Sequence, residues 1–155
     1  MGRMYTATFA AVAVTAQQDF ISILCTAATP VRLHSISIAQ SSDAGDAQDE
    51  MLRVRIQRGM TTVGSGGGTM TPCDIANSGT AAVSTARIND TTIASAGTIT
   101  IVHEDCFNVR AGWVWMPTPE MRPVCVVSTR IAVGLVTTPA DSLTMSGTMY
   151  FEELV

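Results

Sequence analysis

The chain has no lysine; nine arginines carry all of its positive charge over 155 residues. Chemistry that needs an ammonium group is thereby excluded, including Schiff-base catalysis and the lysine of a phosphate-binding loop. Charge of either sign is scarce, at 14% of residues against about 25% in an ordinary globular chain. The net charge is −4 and no basic block occurs, which argues against a nucleic-acid partner. Two histidines are a poor supply for a metal-dependent enzyme of the cupin kind. The four cysteines, at 25, 73, 106 and 125, form no C-x-x-C pair, so neither a zinc site nor a disulfide-stapled secreted domain is indicated. No G-x-S-x-G elbow is present. No apolar run approaches the roughly 20 residues of a membrane-spanning helix, and no membrane partner is expected. No enzyme activity and no cofactor are expected.

What is present is apolar and small. Hydrophobic residues make up 46% of the chain. Thr, Ser, Ala and Gly fill the remaining positions, which suits strands and turns. So apolar a chain without a membrane span implies that other subunits cover part of its surface. Its length fits a single domain over 1–155, able to bury roughly 70% of its unfolded surface without metal or disulfide. Phe9 to Val14 follows Arg3 in the manner of a signal peptide, but the apolar stretch is short and Thr6 and Thr8 break its approach. Gly2 with Thr6 matches the myristoylation pattern only over that short span. The segment is read as the first strand.

The stretch from Leu33 to Gly59 sets the plan. Leu52, Val54 and Ile56 alternate with Arg53, Arg55 and Gln57, so a strand here has one dry face and one wet face. Such strands belong to an antiparallel sheet packed on one core. Others are expected at Tyr5–Val14, Asp19–Cys25, Val31–Ala39, Met51–Arg58, Thr98–His103 and Leu143–Phe151. The apolar phase slips between Leu33 and Ile36, which predicts a β-bulge near His34 and Ser35. Cys106–Arg110 and Gly112–Met116 read as short strands or turns, and Val124–Val127 with Arg130–Val136 as a hairpin. From Gly64 to Ala96 the text is rich in Thr, Ser, Ala, Asn and Gly; it reads as an irregular excursion, with one weak strand near Ala81–Ile88, and as a partner-contacting arm. Eight to ten strands without helical periodicity make an all-β, antiparallel β-sandwich, with a jelly roll as the leading topology.

Four groups of residues carry candidate chemistry. Asp43, Asp46, Asp49 and Glu50 are weak candidates for a cation site, since their spacing departs from the calcium-loop pattern and a solvated turn explains them more simply. Arg53 and Arg55 could fork onto a carboxylate-bearing partner, or line an ordinary wet sheet face paired with the acidic loop. His103 and Asp105 could share a face as half of a metal site. Trp113 and Trp115 fall on one face of a strand, either as a stacking platform for a sugar or, more simply, as filling for a core edge or subunit interface. Cys25 and Cys125 lie in apolar text and read as core residues, whereas Cys73 and Cys106 lie near turns.

The runs HSISIAQSSDAGDAQDEMLRVRIQRG, FNVRAGWVWMPTPEMR and LTMSGTMYFEE resemble the jelly-roll decoration, or cement, proteins of tailed-phage virions. That resemblance implies a structural protein on the outer surface of a capsid, bound to the major capsid protein. It further implies a homo-oligomer, often a trimer, and brings no catalytic residues. The alternative reading is a carbohydrate-binding or tail-fibre component of a phage particle, using Trp113 and Trp115.

Overall fold

The computed structural model describes residues 2–26, 28–41 and 49–154. Twelve strands occur among them: β1 (Arg3–Val14), β2 (Gln18–Leu24), β3 (Val31–Gln40), β4 (Met51–Thr62), β5 (Gly68–Met70), β6 (Cys73–Asp74), β7 (Thr85–Asp90), β8 (Ser95–Asn108), β9 (Trp113–Trp115), β10 (Val124–Cys125), β11 (Arg130–Leu135) and β12 (Leu143–Glu153). They form two sheets in which every pairing is antiparallel. One sheet runs β10-β3-β12-β1-β6, with β9 also on β3; the other runs β5-β7-β2-β11-β4-β8. The fold is thus the expected all-β sandwich. Strands beyond the expected number are short ones such as β5, β6 and β10, which carry too little sequence for a period of two to register.

The pairings are nested. β1 pairs with β12, β2 with β11, β3 with β9 and β10, and β4 with β8. The first four long strands therefore meet the later ones in reverse order, as in one long hairpin rolled into two layers. Alternation fills the space between the layers. Leu143, Met145, Met149 and Phe151 of β12 are all buried, as are Leu52, Val54 and Ile56 of β4. Rings interlock in the core, with Tyr5 stacked on its ladder partner Phe151 at 5.9 Å and, between the two sheets, Phe9 on Phe20 at 5.6 Å. The expected bulge in β3 is present: Tyr150 faces Ser35 and Phe151 faces Leu33, so His34 is passed over.

Three expectations are corrected. First, Val124–Val127 and Arg130–Val136 are not a hairpin, because β10 and β11 lie in different sheets. The turn between them is pinned to Cys25, whose N–H donates to the Thr129 carbonyl while its carbonyl accepts from Ser128 N–H. Ser128, at φ 63°, redirects the chain from one layer to the other. Second, Thr98–His103 and Cys106–Arg110 are not separate, since β8 runs through both. Third, the segment 64–96 is built into the sandwich. It prolongs the β4–β8 hairpin, from the Thr62–Ser95 pair through the Ser65–Thr92 bridge to the Gly68–Ile88 pair. Its far end supplies β7 to the edge of β2 and β6 to the edge of β1.

This folded-back hairpin covers part of an outer face. Met60 and Ala94 pack on Ala132, apart from the main core that holds Ile131 and Val133. All of β11 is consequently buried, and so is β2 up to Leu24. Gln57 is buried too, so the wet face read for β4 ends at Arg55. The bend is made at Gly59 and Gly97, both at positive φ, where the ladder skips. A β-carbon on Gly59 would overlap the Thr98 carbonyl oxygen, so no larger residue fits.

Candidate functional site

The residues singled out in the sequence converge on one margin of the sandwich, where β8 ends one sheet and β9 and β10 end the other. Trp113 and Trp115 reach from β9 toward β8. His103 lies under both, with ring centroids 6.2 Å from Trp113 and 5.8 Å from Trp115. The Trp113 indole N–H donates to Asp105 Oδ2 at 3.1 Å. That bond, helped by the Cys106 N–H, holds the Asp105 carboxyl below the usual carboxylate range. Trp113 is only 6% exposed. Its ring has no free face to offer a sugar, and it closes the gap between the sheet edges as a core-rim residue.

Arg53 and Arg55 do project together from the wet face of β4. Their partner is Glu104 of β8, whose Oε1 lies 3.1 Å from Arg53 Nε and 3.1 Å from Arg55 Nη2. Among the described residues the pairing is across the ladder. A carboxylate-bearing partner would have to compete with Glu104 for these forks. Such a half-exposed ion pair adds little stability by itself.

Asp43 and Asp46 lie outside the described residues. Asp49 accepts from the Asn108 side-chain amide, and Glu50 accepts the Ala140 N–H on both carboxylate oxygens. Both anchor neighbouring segments. His103 and Asp105 share a face, as the alternation requires, but Nε2 and Oδ2 stand 3.8 Å apart. Among the described residues no three metal-ligating side chains gather. Cys25 and Cys125 are buried, and Cys73 and Cys106 are exposed, each as a free thiol. A hydrogen bond donated to Cys125, and then burial, push the Cys25 thiol up; accepting that bond lowers Cys125.

What the sequence reading missed is the surface of this margin. β8 is paired on one side only, to β4, and its residues from Ser95 to Ile101 are all exposed. Ile99 and Ile101 project from it into solvent. On the neighbouring edge Val114, Met116, Met121 and Val126 are exposed as well. The two edges are joined: Arg58 Nη1 donates to the Val124 carbonyl at 2.6 Å, and Thr98, Thr100 and Val126 line one shallow cleft of about 320 Å³. Large apolar side chains on a strand edge that is unpaired among the described residues mark a contact surface. The run Ile99–Thr100–Ile101 has the alternation of a half-buried strand, so its pattern alone gives no sign that both faces are open. Comparison with family models, curated proteins and solved structures finds no match for this chain.

Proposed function

We propose that the chain is a jelly-roll structural protein of a phage virion, attaching to the outer surface of the capsid and reinforcing it. The observation that carries this reading is the open margin. A 14-residue edge strand, β8, with Ile99 and Ile101 exposed on it and Val126 in the cleft beside it, needs a protein partner more than it needs solvent. The nested pairing of β1–β4 with β12–β8 supports the jelly-roll topology, which double-sheet capsid domains use. The low share of charged residues, 14%, fits a protein that buries surface against neighbours. The partner in this reading is the major capsid protein, with the chain itself as a homo-oligomer, a trimer being the expected form. Many weak contacts then add up to firm attachment.

The test is the copy number of this chain in purified particles, measured by quantitative mass spectrometry against the major capsid protein. A number comparable to the shell protein's is the expected result. A handful of copies would move the protein to the tail, and absence would overturn both placements. The contact surface is tested by Ile99→Lys with Ile101→Lys, which should abolish co-sedimentation with particles and leave the fold unchanged. Deleting 64–96 is a poor alternative, because it strips β7 from β2 and uncovers Ala132.

A further inference from the structure

A second cleft lies where the folded-back hairpin meets β11. It measures about 570 Å³, and Arg130 and Arg87 lie in its wall. Arg130 is 7% exposed, and its Nε and Nη1 are shut off from solvent and donate to nothing among the described residues. Two buried donors in that condition are costly unless a ligand supplies an acceptor.

The nearby charges are already engaged. Arg87 is forked onto Asp90 through Nε at 2.8 Å and Nη2 at 2.6 Å. Asp90 Oδ1 also accepts the Gly67 N–H, and Asp19 Oδ2 accepts the Ala94 N–H at 2.8 Å. Burial first, and then the like charge of Arg87, pulls the Arg130 guanidinium below its ordinary value. The carboxylates of Asp90 and Asp19 oppose that pull, but both take their hydrogen bonds from other groups, so Nε and Nη1 of Arg130 are left without an acceptor among the described residues.

We propose that this cleft binds a carboxylate carried on an apolar stem, with Arg130 as its counter-charge. The rest of the wall selects that class. Val63, Met70, Pro72 and Ala82 offer apolar contact to a hydrocarbon stem, and Thr69 and Thr85 offer hydroxyl donors beside it. A planar carboxylate matches the guanidinium fork, and rotation about the last side-chain torsions of Arg130 turns its idle donors toward the ligand.

The experiment follows thermal unfolding of the full chain in sodium butyrate, in a short peptide with one Glu between leucines, and in sodium phosphate, at matched ionic strength. A carboxylate that binds the folded state raises the midpoint in a saturable way. The expected result is such a rise with butyrate or the peptide, weakened at least about tenfold in Arg130→Met, as loss of a charged hydrogen-bond partner requires. A response to butyrate alone identifies a free small acid as the ligand. A tighter response to the peptide identifies an acidic segment of a protein. No saturable response to either carboxylate, an equal response in Arg130→Met, or a response to phosphate alone overturns the proposal. If Arg130→Met does not fold, the Arg130 Nε–Hε resonance of the unaltered protein decides: it moves with butyrate if the proposal holds and stays in place if it does not.

Discussion

Trp113, on the edge of one sheet, donates its indole N–H to Asp105, on the edge of the other, at 3.1 Å. This bond ties the two layers at the margin where the sandwich is otherwise open. It is also the main reason that the Asp105 carboxyl is held low. Trp113→Phe keeps a ring over His103 and removes the donor. In that variant the Asp105 carboxyl should titrate closer to the ordinary carboxylate value, as read by carbon-13 NMR. A depressed folded value stabilises above the unfolded value and is lost as pH falls through the folded one. The stability gap between the unaltered protein and Trp113→Phe should therefore be widest at neutral pH and close in strong acid. An unmoved Asp105 titration would show that the bond does not set it.

Asp19 behaves in the opposite sense. Burial on β2 raises its carboxyl from 3.8 to about 6. The folded state then binds the proton more tightly than the unfolded chain between those values, so stability falls as pH rises through that window. The total change is on the order of 2–3 kcal/mol. Asp19→Asn keeps an acceptor for the Ala94 N–H and cannot ionise. Urea unfolding at steps from pH 4 to 7 should show the slope in the unaltered protein and its loss in the variant. Identical profiles would place the proton elsewhere.

The two faces of β4 are separable by substitution. Val54→Asp puts an unpaired carboxylate in the core, where Val54 is fully buried, and should cost several kcal/mol or prevent folding. Arg55→Ser removes one fork from Glu104, which keeps Arg53, and should cost below about 1 kcal/mol. Denaturant titrations of the pair measure the ratio directly. Equal costs would reverse the assignment of the faces.

The cysteines divide in the same way. Under native conditions iodoacetamide should label Cys73 and Cys106 and spare Cys25 and Cys125, which are buried and joined thiol to thiol. All four should react once the chain is unfolded. Peptide mass mapping reads the pattern, and rapid native labelling of Cys25 would contradict its burial.

Period-two alternation made β4 and β12 legible because each buries one face only, and the slip between Leu33 and Ile36 located a real bulge. The same rule misled where both faces are covered. Gln57 reads as wet yet lies under the returning hairpin, and nothing local to Gln57 announces a cover that comes from residues 63–94. The segment 64–96 reads as irregular because its small polar residues pair at sheet edges, where little apolar area is needed. The Trp113–Trp115 spacing gave their common face, but not that the face turns inward onto His103. Arg130 drew no attention in the sequence, since a lone arginine between Thr129 and Ile131 looks like any surface charge.

The nested pairing has a consequence for the order of events as the chain is made. β4 and β8 are joined through residues near in sequence and can meet early, at small entropic cost. Arg3 faces Glu153 across β1 and β12, so β1 waits for all the strands between them to be made before its partner exists. Ring closure over that span is slow and must precede the contacts that reward it. Until then β1 lacks the partner against which Tyr5, Ala7 and Phe9 are buried in the finished sandwich, and a strand in that state is open to pairing with another chain.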